Sequence, residues 1–261
     1  MLKTKMKKII AVIFCLGVFS LVDQVYASDN DLDELIERAE EKVENHEEEK
    51  ALEIFKKVLE KDSENYEALW NKSLLTTRKY HRKDDEDVKL EGYKHALEIA
   101  EKVVDLYPDK GHSHYVYAVA SGRYNNLEGT RDMIEASHDI KEHIEKASEL
   151  IPDYAPVWHL YGVWHSDIAT ASSTEETAAG MVSEGLPDDA EEDKAEKYLK
   201  KSIDMMSESI LFRVDLAKHY IEIDKKDEAI EVLDEAASME PKMMGDDDKR
   251  EEAKELLSDI S

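Results

Sequence analysis

The chain has 261 residues, of which 41% are hydrophobic and 37% charged, with only nine glycines and five prolines. This composition supplies enough apolar side chains for a packed core and favours helices over strands. The net charge of −27 disfavours nucleic acids and anionic membrane surfaces as partners, because phosphate binding requires clustered lysine and arginine.

The first 27 residues have the pattern of a secretory signal. Four lysines precede an apolar run from Ile9 to Val22, which is followed by a cleavage motif ending at Ala27. We therefore expect cleavage after Ala27 and an exported protein, periplasmic or secreted, with no membrane insertion after cleavage. An uncleaved membrane anchor is the alternative. Cleavage would also remove Cys15, the only cysteine, and with it any disulfide or thiolate metal site.

The remainder, residues 28–261, begins with two similar segments. Residues 29–65 contain two apolar stripes at helical spacing, and Ala39 and Ala51 stand where paired helices would approach closely. Residues 66–110 repeat the arrangement, with a polar run between the two predicted helices. Both segments therefore predict a helical hairpin.

The third segment, 111–153, and the fourth, 154–209, are longer. In the third, Asn125 to Gly129 predicts a turn, and Thr130 is the expected N-cap of a long second helix. The fourth contains an insertion from Ser172 to Glu192, which is either a lid over a groove or an exposed loop. The Gly185-Leu186-Pro187 sequence within it predicts a fixed turn.

The fifth segment, 210–243, defines the repeat most clearly. The same number of residues separates Ala229 from Pro241 and Ala96 from Pro108, and Pro152 stands in the same register. A proline at this position ends one helix and starts the next unit. The pattern resembles the tetratricopeptide repeat. The resemblance implies an all-α, right-handed superhelical solenoid of about five TPR-like helical hairpins, with a C-terminal capping helix at 247–260.

A narrower resemblance rests on three segments: AVASGRY at 118–124, WHLYGVWH at 158–165, and GLP at 185–187. Their succession is similar to the regulator of microtubule dynamics family and its exported bacterial relatives. The resemblance implies a helical-repeat protein without an accepted catalytic site. Eukaryotic members are associated with microtubules and organelle contacts. The predicted signal argues against transferring that role to this chain.

Motifs for catalysis are missing from the sequence. Close histidine pairs such as His112/His114, His138/His143 and His159/His165 lack the spacing that puts two metal ligands on one helical face. The glycines form no phosphate-binding loop, and no nucleophile elbow occurs. We therefore predict no enzyme, no cofactor and no metal. A small-molecule binder or enzyme using the His- and Trp-rich third and fourth repeats stays an alternative, as does a self-associating scaffold (a homo-oligomer).

Among the side chains that the repeat register projects onto the inner face of the first helices, we select seven as a candidate peptide-binding groove. They are Trp70, Arg78, His112, Tyr115, Arg123, His159 and Lys218. Arg78 and Arg123 share one repeat position and could bind a peptide carboxylate, or could instead pair with neighbouring acids. Five other aromatic residues are expected to pack between helices: Tyr117, Trp158, Tyr161, Trp164 and Tyr220. We therefore predict a non-catalytic scaffold that binds a protein or peptide, whose identity the sequence does not give.

Overall fold

The computed structural model describes residues 31–171, 177–180, 182 and 185–261. Its longer helices are α1 (31–44), α2 (Glu48–Lys61), α3 (Tyr66–His81), α4 (Glu86–Leu106), α5 (Gly111–Glu128), α6 (Thr130–Leu150), α7 (Ala155–Ala169), α8 (Glu192–Met205), α9 (Ile210–Glu222), α10 (Lys226–Ser238) and α11 (Asp246–Ile260). These ranges contain no β-strand, which confirms the predicted all-α class. Every described helix is too short or too polar to cross a bilayer.

The chain forms two compact units, one ending at Ala68 and the other starting at Leu69. In the first unit, Ala39 on α1 and Ala51 on α2 are both fully buried, as is Phe55. The small residues therefore occupy buried positions, as the repeat pattern predicts. They allow two helix backbones to approach closely without a gap.

In the second unit, each helix from α4 onward packs against the next one in the chain. In addition, α7 contacts α9, and α9 contacts α11. Leu74 of α3, Tyr115 of α5 and Val157 of α7 also share one core cluster. The first helices of successive hairpins therefore lie side by side, which is the arrangement of a tetratricopeptide solenoid. We call the row formed by α3, α5, α7 and α9 the first-helix row.

Within the hairpins of this unit, close approach depends on small residues. Ala96, Ala217 and Ala229 are fully buried, as Ala39 and Ala51 are in the first unit. The Ser73 hydroxyl on α3 donates a hydrogen bond to the Ala96 carbonyl on α4 at 2.9 Å, so the two backbones are nearly in contact. Gly162 on α7 serves the same purpose, since the space beside its Cα is filled by α8.

The joints between hairpins follow the proline register. Helix α4 ends at Leu106, just before Pro108, and α6 ends at Leu150, just before Pro152. In both cases, the residue after the helix closes its last turn: Tyr107 donates to the Val103 carbonyl, and Ile151 to the Ala147 carbonyl, each at 2.9 Å. The equal geometry explains why the prolines recur at equal offsets.

The predicted turn from Asn125 to Gly129 is wrong, because α5 continues to Glu128. The Asn125 side-chain amide donates to the Ser121 carbonyl at 2.9 Å and thus stays within its own helix. Gly129 alone separates α5 from α6, with φ of 142° and ψ of 172°. Few residues other than glycine adopt this conformation. Gly129 also takes the N-cap position that we predicted for Thr130.

The described end of the insertion is attached to α6. His138 Nε2 lies 3.2 Å from the Gly185 carbonyl, and Lys141 forms an ion pair with Asp189. Gly185 has a left-handed backbone, with φ of 68°, and Pro187 is buried. The predicted turn is therefore present. This end lies against a second helix, so the described part of the insertion does not support a lid over the groove.

Candidate functional site

Three aromatic rings from successive hairpins meet on the first-helix row. Trp70 on α3 stacks on His112 of α5, with ring centroids 4.3 Å apart and planes 12° from parallel. The edge of Tyr154, which directly precedes α7, lies 4.9 Å from the His112 ring. All three side chains are half-buried, so part of each remains accessible. We call Trp70, His112 and Tyr154 the aromatic step; Trp70 and His112 were predicted here.

Tyr115 does not lie on the accessible face, which corrects its prediction as a groove residue. Only 6% of its surface is exposed, and it packs edge-on against Tyr154, with centroids 5.2 Å apart. Burial raises the pKa of the Tyr115 phenol, although the charges of Arg78 and Arg123 act in the opposite direction. Register alone misplaced this residue because Tyr154, at the joint before α7, packs against it.

The two predicted arginines lie near the aromatic step. Arg78 is half-buried and Arg123 is exposed, and both charges act on the Tyr115 phenol. Within the part of the chain that the structure describes, Arg123 forms no ion pair. For Arg123, therefore, the alternative of pairing with a nearby acid is not met. Its guanidinium is available for an external carboxylate.

His159 and Lys218, the two remaining groove predictions, belong to a separate ionic network. His159 Nε2 lies 2.8 Å from Asp215 Oδ2, and the His159 ring stacks on Phe212 at 4.3 Å. Lys218 Nζ lies 3.6 Å from Asp215 and also pairs with Glu252 of α11. These charges are neutralised within the protein. They connect α7, α9 and α11 and are less accessible to a ligand than Arg123.

The Asp215 carboxylate is the centre of this network. Its burial opposes ionisation, but the hydrogen bond from His159 and the charges of His159, Lys218 and Lys249 outweigh that effect and lower its pKa. A lowered folded pKa means that ionised Asp215 stabilises the fold above the unfolded pKa of about 3.9. The contribution is lost as the pH falls through the folded pKa.

We therefore expect Asp215→Asn to lower the free energy of unfolding by about 1–2 kcal/mol at neutral pH, because a charged hydrogen-bond acceptor is lost. The difference from the wild type should be smaller at about pH 3, below the unfolded pKa, because the contribution of ionised Asp215 is lost as the pH falls. Urea denaturation at both pH values measures it. Asp234→Asn, at an exposed position on α10, is the control. Equal stabilities of the wild type and Asp215→Asn at neutral pH would contradict this role.

Two histidines that we considered as metal ligands, His114 and His143, are instead hydrogen-bonded to each other. His114 Nε2 lies 2.7 Å from the Pro108 carbonyl and must donate to it, so Nδ1 of this ring accepts. His143 Nδ1 lies 2.9 Å from that atom and is the donor. Burial lowers the pKa of both histidines. Among the described residues, no three side chains of the metal-ligating types converge.

The aromatic residues predicted to pack between helices divide into two groups. Tyr161, Trp164 and Tyr220 are buried, which confirms their predicted role. Tyr117 and Trp158 are only half-buried. The Trp158 indole donates to the Pro152 carbonyl at 2.8 Å, and Lys201 Nζ lies 3.1 Å from its ring centroid.

Three residues of the first-helix row were missed by the repeat register. Tyr154 stands at the joint before α7, outside any helical stripe. Phe212 and Asp215 lie one turn apart on α9 and meet His159 together. The acid one turn before Lys218 was the available signal, because such spacing permits an ion pair on one helical face.

Comparison with known proteins places the chain in a family. The family model described as Regulator of microtubule dynamics protein 1-3 matches residues 35–261. Regulator of microtubule dynamics protein 2 of Mus musculus is 26% identical over 205 residues, covering 77% of this chain and 49% of its own length. Regulator of microtubule dynamics protein 1 of Pongo abelii is 28% identical over 236 residues, and the alignment covers 88% of this chain and 73% of that protein. The chain thus spans about half the length of the mouse relative.

Among solved structures, a thermophilic TPR protein from Thermus thermophilus superposes with a TM-score of 0.60 at 19% identity. The match covers 87% of this chain and 99% of that one. At this identity the likeness concerns the fold alone. It confirms the predicted tetratricopeptide solenoid.

The prediction of an exported, periplasmic or secreted protein is wrong. The relatives are regulators of microtubule dynamics from mouse and orangutan, and the family model that matches residues 35–261 describes the same regulators. A basic start and an apolar run are features of composition, and composition alone does not fix a destination. Residues 1–27 lie outside the described residues. By its match over residues 35–261 and its repeat fold, the chain belongs to the Regulator of microtubule dynamics protein 1-3 family.

Proposed function

We propose that this chain is a non-catalytic protein-binding scaffold, and that the first-helix row binds an extended peptide segment of a partner protein. The observation that supports the proposal most directly is the aromatic step, in which Trp70 and His112 stack while both remain partly accessible. The tetratricopeptide fold supports it independently, because its helices present one continuous face rather than an enclosed cavity.

The aromatic step suits a peptide for energetic reasons. Its rings are held in place by stacking at 4.3 Å and by an edge contact at 4.9 Å before any ligand arrives. A preorganised surface loses little side-chain entropy on binding. Flat aromatic faces bury a large apolar area against an aliphatic or aromatic side chain. Such a step therefore gives affinity for an apolar side chain of the peptide.

The names of the relatives assign them to the regulation of microtubule dynamics. The family match covers residues 35–261 of this chain, which include its helical hairpins. The part of that role that we propose to transfer is partner binding by the repeats. The alignment covers 49% of the mouse protein, so the activities of the whole protein are left with that protein.

Selection from a random peptide library tests the proposal, with purified protein as the bait. We expect Trp70→Ala to lower the affinity for the selected peptides by about tenfold or more, because a central aromatic contact is lost. Trp158→Ala is the matched control, since it also truncates a half-buried tryptophan, but one covered by Lys201. Trp70→Leu retains apolar volume and distinguishes lost recognition from lost packing.

Circular dichroism of each variant checks that the helices are intact. The proposal is contradicted if folded Trp70→Ala binds the selected peptides as the wild type does. It is equally contradicted if Trp158→Ala lowers the peptide affinity as much as Trp70→Ala does.

A further inference from the structure

A cleft of about 270 Å³ opens between the second helices α8 and α10, beside α9. Its floor is apolar, because Leu216 is buried there and Ile203 and Val232 are half-buried. Pockets for drug-sized molecules start at about 300 Å³, so this space suits one long side chain of a partner. We call it the α8–α10 cleft. Four charged side chains form its rim: Lys200, Asp204, Arg213 and Glu235.

Aromatic rings fill the corresponding space in the two preceding hairpins. In the hairpin α7–α8, the Tyr198 ring contacts Trp158 and Tyr161, at centroid distances of 5.4 and 4.6 Å. Two of these rings come from the first helix and one from the second. The same three repeat positions of the hairpin α5–α6 also carry rings in mutual contact: His114, Tyr117 and His143.

The hairpin α9–α10 has no ring at these positions. Leu216 directly precedes the small residue Ala217, as Tyr161 directly precedes Gly162. By the same count, the positions of Trp158 and Tyr198 are taken by other side chains without rings, Arg213 and Val232. Leu216, Arg213 and Val232 all line the α8–α10 cleft. The missing rings therefore explain why the space is open in this hairpin and filled in the two before it.

The two cations at the rim already have partners within the protein. Arg213 Nη1 donates to the Ser207 and Ser209 carbonyls, at 2.7 and 3.2 Å. Lys200 Nζ lies 2.6 Å from Glu196 Oε1. Neither cation therefore needs an anion from a ligand.

The two carboxylates at the rim are less well paired. Within the part of the chain that the structure describes, the exposed Asp204 side chain forms no ion pair. Glu235 receives only the Arg213 Nε–H, at 3.3 Å, and its side chain remains 59% exposed. Unneutralised negative charge thus stands above an apolar floor, in a chain whose net charge is −27.

We propose that the α8–α10 cleft binds a lysine or arginine side chain from a basic segment of a partner protein. The aliphatic part of the side chain packs on Leu216 and Val232, and its charged end pairs with Asp204. An apolar side chain gains nothing from Asp204, and an acidic one is repelled by it. The inference goes beyond the proposed function, because this cleft lies between second helices and is independent of the aromatic step.

The probe is a fluorescein-labelled peptide of about 12 residues, spanning roughly 40 Å when extended. It alternates arginine with serine, and a second peptide has the neutral residue citrulline in place of every arginine. Fluorescence anisotropy with the full chain should show the arginine peptide binding at least about tenfold tighter at low salt.

Two variants test whether the peptide occupies the cleft. Val232→Tyr restores a ring at the position of Tyr198 and should lower the affinity by at least about tenfold, because it fills the space. Val88→Tyr, at an exposed valine of α4, is its control. Asp204→Asn should lower the affinity by about fivefold, as loss of one ion pair does. Asp234→Asn removes the same charge at an exposed site of α10 outside the cleft and should have no effect.

Circular dichroism checks that the helices are intact in each variant. Asp204→Asn changes only an exposed group, so it tests the inference even if Val232→Tyr does not fold. Equal losses in Asp204→Asn and Asp234→Asn overturn the inference, since the peptide would then be attracted by the acidic surface as a whole. Equal affinity of the two peptides for the wild type overturns it as well.

Two further outcomes identify a different occupant or a different site. If light scattering shows a dimer that Val232→Tyr abolishes, while folded Val232→Tyr binds the arginine peptide as the wild type does, a second copy fills the cleft and the inference fails. Trp70→Ala should leave the affinity for the arginine peptide unchanged. A loss in that variant would place this peptide on the first-helix row, so that the scaffold function stands while the cleft inference fails.

Discussion

Replacing Gly162 by alanine is expected to lower the free energy of unfolding by about 3 kcal/mol, because no space exists for a side chain between α7 and α8. An added Cβ would lie 2.6 Å from Leu199 Cγ and 2.9 Å from the Leu199 backbone nitrogen. Leu199 is fully buried, and its backbone belongs to α8. The side chain cannot simply rotate away, so the two helices would have to separate.

Gly122→Ala is the matched control and should act in the opposite direction. Gly122 lies within α5, and an added Cβ there meets no atom within 4 Å. Alanine is favoured over glycine in a helix interior by about 0.5–1 kcal/mol, so this variant should be slightly more stable than the wild type. Urea denaturation of both variants measures the difference. If Gly162→Ala matched Gly122→Ala in stability, the close packing of α7 on α8 would be refuted.

Acidification should destabilise the protein through His165. Only 1% of its surface is exposed, and its Nδ1 accepts a hydrogen bond from the Glu191 amide at 3.3 Å. The ring lies between Tyr161 and Trp164, at centroid distances of 4.8 and 5.0 Å. Burial, with a further effect from Lys194, lowers the pKa of His165 to about 4.

The direction of the stability change follows from the proton uptake of the folded and unfolded chains. An unfolded histidine titrates near pH 6.5, so between there and about pH 4 the unfolded chain binds a proton that the folded chain does not. Stability from His165 is therefore complete above this window and falls as the pH decreases through it. With 1.36 kcal/mol per pKa unit, the loss amounts to about 3 kcal/mol.

The variant His165→Phe isolates this contribution. Phenylalanine keeps an aromatic ring among Tyr161, Trp164 and Tyr198 but cannot titrate. It leaves the Glu191 amide unpaired, so the comparison concerns the slope of stability against pH rather than its absolute value. Urea denaturation from pH 7 to pH 4 should show a shallower decline for the variant. Parallel declines would mean that His165 is not held neutral by burial.

The repeat pattern predicted the helical hairpins because a few positions accept only one kind of residue. Ala96, Ala217 and Ala229 must be small where backbones approach, and Pro108 and Pro152 must follow a helix end. Such constraints recur at fixed offsets and are visible without coordinates. The arrangement of neighbouring first helices has no such local signature. It depends on the distances and angles between helices, which the sequence of one helix does not determine.

Which side chains of the candidate site are accessible also depends on contacts between helices that the sequence does not show. Register placed Trp70 and His112 on one face, and they do stack. It placed Tyr115 there too, but the approach of α5 to the joint before α7 buries that ring against Tyr154. The separation of Lys218 from the ligand face depends on Glu252, which comes from the distant helix α11. Long-range partners of this kind decide which charges remain available.

Hydrogen–deuterium exchange with a peptide selected from the random library, at saturating concentration, tests whether the first-helix row is the binding surface. If the peptide binds the first-helix row at the aromatic step, amide protection should increase in α3 (Tyr66–His81) and α5 (Gly111–Glu128). Exchange in the second helices α6 (Thr130–Leu150) and α8 (Glu192–Met205) should not change. Protection confined to those second helices, or unchanged exchange throughout at saturating peptide, would show that the first-helix row does not bind the peptide.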